Sequence, residues 1–410
     1  MRSGNITLRS SSTQLNPSSI LLLVFVLILT PVAVASSTWY VNGTKGNDRN
    51  DCKSPQTACK TIGNAISLAS SGDTIMVAPA SYPETLTIGI SLTIIGSGNS
   101  TGTVTTTAID GYGKFDTVVT IPNADTNVTI SKMIIRNGDV AYVGGGISNS
   151  GTLTVNDSII TGNTTYTDGW ETSYGGGGVY NNGTLTINNS SVTDNVAWPD
   201  RHTWEYGGGI SNFGMLTINN STISGNVGQD CDDCDQTSYG GGIYNGGTLT
   251  ISNSTISANH ASYGGGIDNA GTLMLNNVTL SGNDGRWLGG AIEGTAILQN
   301  SIVANSTSSG NCDGTVTSNG YNLSSDGSCT FNNIGDLNNT DPLLDVLHNN
   351  GGPTQTMRLL SGSPAIDAGN PHGCTDDQGH PLKTDQRGLD RPGRWDTGAC
   401  DIGAFEKQTD

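Results

Sequence analysis

From residue 144 onward the apolar positions fall into a pattern that returns about every coil of chain. The phrase Gly144-Gly-Gly-Ile-Ser-Asn-Ser-Gly-Thr-Leu-Thr-Val-Asn-Asp-Ser-Ile-Ile-Thr-Gly-Asn163 restarts at Gly176, Gly207, Gly240 and Gly264, and in shortened form at Gly289. The starts lie 24 to 33 residues apart. A repeat of that length marks stacked supersecondary units. Within Leu-Thr-Ile the apolar residues alternate with polar ones, which is the period of a strand with one face buried.

Aligned on the glycines, the apolar positions form four columns. One is Ile147, Val179, Ile210, Ile243, Ile267 and Ile292. The second is Leu153, Leu185, Leu216, Leu249, Leu273 and Ala296. The third is Val155, Ile187, Ile218, Ile251, Leu275 and Leu298. The fourth is Ile160, Val192, Ile223, Ile256, Leu280 and Val303. Three short strands per unit cannot close a core alone, but stacked as parallel rungs they share a continuous one. The pattern therefore predicts an all-β solenoid. An Asn column, read as Asn163, Asn195, Asn226, Asn259, Asn283 and Asn305, is expected to take left-handed backbone at a turn. It should also hydrogen-bond its copies above and below, a structural role.

The flanks differ. Ile62, Ala65, Ile66 and Ala69 make one helical stripe over 61–69, which predicts a short capping helix over the open N-terminal end. Early strands are expected over 74–77, 86–88, 92–95, 117–121 and 128–135. Residues 1–35 carry Arg2 and Arg9, an apolar run from Ile20 to Leu29, and Ala33-Val34-Ala35. This predicts a secretory signal cut after Ala35. No later apolar run is long enough to span a membrane, so no transmembrane anchor is expected after cleavage. The expected organisation is signal 1–35, cap and early coils 36–140, regular repeats 141–310, and a terminal segment 311–410 in which the period fades.

Composition narrows the function. Glycine is 58 of 410 residues and charged residues are only 13%, which disfavours helical bundles and doubly wound α/β enzymes. The net charge of −18 and the lack of any Lys/Arg cluster exclude nucleic acid as a partner. Eight Cys in an exported chain predict disulfides. Pairing between sequence neighbours is expected: Cys52 with Cys59, Cys231 with Cys234, Cys312 with Cys329 and Cys374 with Cys400. His372 and His380 bracket Cys374, Asp376 and Asp377, a pattern that suggests metal binding, but a disulfide-tied polar loop is the simpler reading.

These residues resemble the right-handed parallel β-helix, or pectin-lyase-like, superfamily. The opening Trp39-Tyr40-Val41-Asn42-Gly43, Asp51-Cys52, Cys59-Lys60-Thr61-Ile62, Gly72-Asp73-Thr74-Ile75 and Tyr82 are similar to the N-terminal segment of bacterial members. The Gly-Gly-Gly-Ile copies, and Gly289-Gly-Ala-Ile292 above all, resemble repeats of polymorphic outer-membrane proteins, with Ile/Val/Leu-x-x-Asn in place of the Phe form. The end, from Asp341-Pro-Leu-Leu through Gly362-Ser-Pro-Ala-Ile-Asp-Ala-Gly369 and Asp385-Gln-Arg-Gly388 to Cys400-Asp-Ile-Gly-Ala-Phe-Glu406, resembles the choice-of-anchor Q domain of exported bacterial proteins. The resemblance implies a right-handed parallel β-helix at the cell surface or outside it.

Enzymes of that superfamily imply clustered carboxylates on neighbouring coils, with a basic residue or calcium. Residues 141–310 hold only Arg201 and Arg286, and Asp157, Asp194 and Asp268 occupy different phases of the repeat. No catalytic residue is assigned. The inserts between copies, 164–175, 196–206, 227–239, 260–263 and 284–288, leave the coil at one phase and should stack along one edge. They carry Trp170, Trp198, Trp204 and Trp287, the candidate ligand-binding residues, and Tyr166, Tyr174, Tyr206, Tyr239 and Tyr263. The Tyr before the glycines reads as packing. One insert places Asp230, Asp232, Asp233 and Asp235 within six residues, a candidate weak calcium site; no other cofactor is required. The expected function is a non-enzymatic surface protein that binds a glycan or a surface protein. A polysaccharide lyase or glycoside hydrolase of the same fold is the alternative.

Overall fold

The computed structural model describes residues 36–98, 106–167, 174–199, 203–229, 237–375, 379–393 and 399–408. The expected signal, Trp170, Arg201 and the whole Asp230–Asp235 cluster with Cys231 and Cys234 lie outside the described residues. The chain forms a right-handed parallel β-helix, and every pair of named strands is parallel.

Each regular coil passes through four strands, illustrated by Ile147–Asn149, Thr152–Asn156, Ile159–Thr161 and Thr164–Tyr166. We call the sheets they build I, II, III and IV; among the described residues they hold nine, eleven, ten and eight strands. The four apolar columns are in register, residue on residue. Ile218, for example, pairs with Ile187 on one side and Ile251 on the other. Nearly every column member is fully buried, and they form one continuous core. Alternation places Thr129, Thr154, Thr186, Thr217 and Thr250 on the opposite face of sheet II, again in register.

Sheet IV was not anticipated; the repeat predicts three strands per unit. The ends of the inserts are themselves strands. The strand His260–Tyr263 takes Val227–Gly228 and Thr237–Tyr239 side by side as its neighbours on one edge. The middle glycine of each triplet answers to this. A Cβ on Gly208 would lie 2.5 Å from the carbonyl oxygen of Gly241 and 2.5 Å from the carbonyl carbon of Val227, where sheet IV passes.

Two buried Asn ladders run the length of the repeats. In one, Asn163, Asn195, Asn226 and Asn259 each donate a side-chain N–H to the Oδ1 of the next, ending on Asn283, at 2.9–3.0 Å. Here the expectation needs two corrections. The left-handed residue is the one just before each ladder Asn, namely Gly162, Asp194, Gly225, Ala258 and Gly282, and Asn305 takes the same conformation before Ser306. Asn305 therefore belongs to that turn and not to the ladder. The second ladder, Asn149–Asn181–Asn212–Asn245–Asn269, has contacts of 2.6–2.7 Å.

The N-terminal helix is Ile62–Leu68, close to the predicted span. Thr61 caps it, and Glu84 accepts from the backbone N–H groups of Ile62 and Gly63. Ile62 and Ala65 face the core. The expected strand 128–135 is two, Asn127–Ser131 and Ile134–Arg136, because Lys132 turns left-handed between them. Additional strands lie at Thr38–Val41, Ala80–Tyr82 and Thr107–Asp110. Past residue 310 the coil continues through Cys312–Asp313, Val316–Ser318 and Leu323–Ser324.

The terminal segment then folds back along the turn between sheets II and III. Gln386, Thr354 and the backbone of Gln355 meet Ser221, Thr222 and Thr255. Asp385 and Arg387 form a buried ion pair, and the Arg387 guanidinium lies 3.6 Å from the centre of the Phe405 ring. The buried Arg391 guanidinium faces Glu406 at 3.5 Å and donates to the carbonyl of Gly403. The ion pairs thus brace the segment internally, and Gln386 fastens it to the solenoid. Disulfides Cys52–Cys59, Cys312–Cys329 and Cys374–Cys400 are formed as expected. Cys374 is thereby spent on its bridge, and with it the metal reading of the 372–380 loop loses its thiolate.

Candidate functional site

The inserts stack on one edge, and their tyrosines form a ladder. Tyr174, Tyr206, Tyr239 and Tyr263 lie one above the other with ring centres 5.2 Å apart, and Trp287 meets Tyr263 edge-on at 5.3 Å. A second row, Tyr180 and Tyr244 on sheet I with Phe213 in the turn that follows it, packs beside it, with Tyr244 4.4 Å from Tyr206. These contacts give the recurring Tyr its packing role. Desolvation in this stack pushes the hydroxyls of Tyr206, Tyr239 and Tyr244 above the ordinary phenol range.

The tryptophans are placed differently. Trp198 ends the strand Val196–Trp198, where it pairs with Tyr166; Trp204 opens Trp204–Tyr206, opposite Thr237. Trp198, Trp204 and Trp287 are 55%, 50% and 45% exposed, and Tyr174 is 50% exposed. All lie in sheet IV or its continuation, so one edge of the solenoid carries several uncovered rings.

At one end of this edge, the outward position of sheet I changes character. Its column reads Ser148, Tyr180, Ser211, Tyr244, Asp268, Glu293 and Asp313, each opposite the next across the sheet. Asp268 is buried and hydrogen-bonded to Glu293. Burial first, and then Glu293, push the Asp268 carboxyl up to about 9. Two carboxylates opposite each other on adjacent strands cannot both ionise cheaply, so the pair holds a proton at neutral pH. Asp268 feels Tyr206, Tyr239 and Tyr244, which places the acid pair against the tyrosine ladder.

Sequence reasoning compared Asp268 with Asp157 and Asp194, with which it does not stack, and missed Glu293. The signal was present: both stand directly after the Ile of Gly-Gly-x-Ile. Arg286 sits in the sheet IV strand Asp284–Leu288.

No protein-family model and no curated protein matches the chain. Solved structures with similar coordinates include the pectate lyase Pel9A, at 15% identity over 92% of this chain and 98% of that one, with a TM-score of 0.44. A rhamnogalacturonan lyase shares 12% identity over 80% of this chain and 96% of its own, with a TM-score of 0.45. A complex of XylC with xylose shares 10% over 91% and 99%, with a TM-score of 0.38. The fold stands on the strand register above, and the activities in those names remain those proteins' own.

Proposed function

We propose that this chain is an exported, non-enzymatic surface protein that binds glycans through the aromatic edge formed by its inserts. The observation that carries the reading is the exposure of Trp198, Trp204 and Trp287 on one edge, above rings that already satisfy each other by stacking. Exposed indoles cost hydration and gain from packing on the C–H face of a sugar ring. Export is supported by the three disulfides, which persist in oxidising compartments.

The Asp268–Glu293 pair favours a second reading, a polysaccharide-cleaving enzyme. The two residues stand opposite each other on adjacent strands, and burial keeps the Asp268 carboxyl protonated, as a general acid requires.

The test is a glycan array with reducing-end release assayed in parallel. Binding by the parent that is lost in Trp198→Ala/Trp204→Ala, with no change in melting temperature, supports the reading. Unchanged binding in that folded variant discards the aromatic edge. Sugar release that disappears in Asp268→Asn would establish the enzyme instead.

A further inference from the structure

A groove of about 680 Å3 runs along the outer face of sheet II and the turn that follows it, away from the aromatic edge. Its lining is amide and hydroxyl throughout, with Leu382 of the terminal segment as the apolar exception, and no charged side chain takes part. Here a third, half-buried Asn ladder lies open. Asn188 donates to Asn156 Oδ1 at 3.0 Å, and Asn219 donates to Asn188 Oδ1 at 3.0 Å.

A primary amide has two N–H donors and an oxygen with two lone pairs. The ladder uses one donor and one lone pair of Asn188. One of each remains. Thr217 and Thr250, opposite each other on adjacent strands, add hydroxyls to the same face. The amides recur over three rungs, about 4.8 Å apart, and Ser252 continues the row with a hydroxyl. At the wall of the groove Asn253 is almost fully buried. Its Nδ2 donates to Asn220 Oδ1 at 2.9 Å and to the Thr384 carbonyl at 3.0 Å, but its Oδ1 has no partner. A buried acceptor left unmet is costly, and natural folds usually satisfy it.

We propose that this groove is a binding site for a neutral polysaccharide chain, separate from the aromatic edge and independent of it. A sugar hydroxyl both donates and accepts, so a row of hydroxyls matches amides that keep one donor and one acceptor free. The uncharged lining offers nothing to a uronate or phosphate, and the chain's net charge of −18 repels polyanions. The repeat of the ladder along the solenoid axis suits a polymer laid across the rungs.

Affinity electrophoresis of the whole chain through gels containing dextran, amylose or galactomannan tests this, with polygalacturonate as the charged control. At least one neutral polymer retards the parent, and polygalacturonate does not. Thr217→Val/Thr250→Val, which keeps side-chain shape, weakens retardation about tenfold, and Asn188→Ala/Asn219→Ala removes it. Trp198→Ala/Trp204→Ala leaves it unchanged, so failure here is distinct from failure of the aromatic edge. If Asn188→Ala/Asn219→Ala does not fold, the threonine variant alone decides. Retardation by no neutral polymer, equal retardation by polygalacturonate, or full retardation of the threonine variant overturns the proposal. Loss of retardation in the tryptophan variant assigns the sugar to the other edge and overturns it as well.

Discussion

Asp268 and Glu293 occupy the same position on successive coils and share a hydrogen bond between carboxyl groups. An unfolded Asp titrates at about 3.9, and Asp268 in the fold at about 9. Between those values the folded chain keeps a proton that the unfolded chain has released. Stability from this group therefore falls as pH rises from about 4 to about 9, and the loss is complete above that. Asp268→Asn stays neutral and still donates to Glu293. Its melting temperature should match the parent near pH 4 and exceed it increasingly toward pH 9. A difference that does not change with pH would mean that Asp268 is already ionised in the fold.

Ile218 stands between Ile187 and Ile251 with no exposure. Ile218→Ala should cost about 2–5 kcal/mol through lost contacts and the cavity left behind. Ile218→Asp should cost more, because a carboxylate there has no partner. Circular dichroism melting in urea checks the order. Equal stability of Ile218→Asp and the parent would mean that the column is not the core.

The buried and open ladders should respond differently. Asn226 accepts from the backbone and side chain of Asn195 and donates to Asn259 and to the Val192 carbonyl. Asn226→Ala strands several of these inside the stack, at about 1–3 kcal/mol for each group left unsatisfied. Asn188→Ala, on the half-buried ladder, lets water replace the lost partners and should cost under about 1 kcal/mol. Comparable losses would show that burial does not set the strength of these ladders.

Most of the solenoid is legible in the sequence because a parallel stack repeats each environment. The residue that suits a position in one coil suits it in the next, so Leu153 announces Leu185, Leu216 and Leu249. The same logic contained Glu293 beneath Asp268, but in a polar, outward column that apolar alignment passes over. Asn305 misled because aligning it with Asn283 shifts the short copy by one residue, and a one-residue shift exchanges turn and ladder. The fourth sheet was hidden because inserts of unequal length share no spacing. The terminal segment was hidden for another reason. Its contacts, such as Thr222 with the Gln355 carbonyl 133 residues away, have no local signature.

Gln386 is a central tie between that segment and the solenoid. It is almost fully buried; its Oε1 accepts from Thr255 Oγ1 at 2.6 Å. Its Nε2 lies within 2.9–3.2 Å of the Ser221 carbonyl, Thr222 Oγ1, Thr354 Oγ1 and the Gln355 carbonyl. One side chain therefore joins two coils to two stretches of the terminal segment. Gln386→Ala removes both ends of its amide and leaves a hole that the surrounding hydroxyls line. The cost should be about 2–3 kcal/mol. It should fall on the docking of the segment, since the apolar columns do not involve Gln386. Limited proteolysis should then cut the variant between about residues 340 and 400 while the parent resists, and the repeat core should survive intact. The Cys374–Cys400 bridge closes within the segment and cannot replace the tie. Cleavage at the same rate in parent and variant would show that the other contacts, such as Asn253 with the Thr384 carbonyl and Arg391 with Asn277, hold the segment without it.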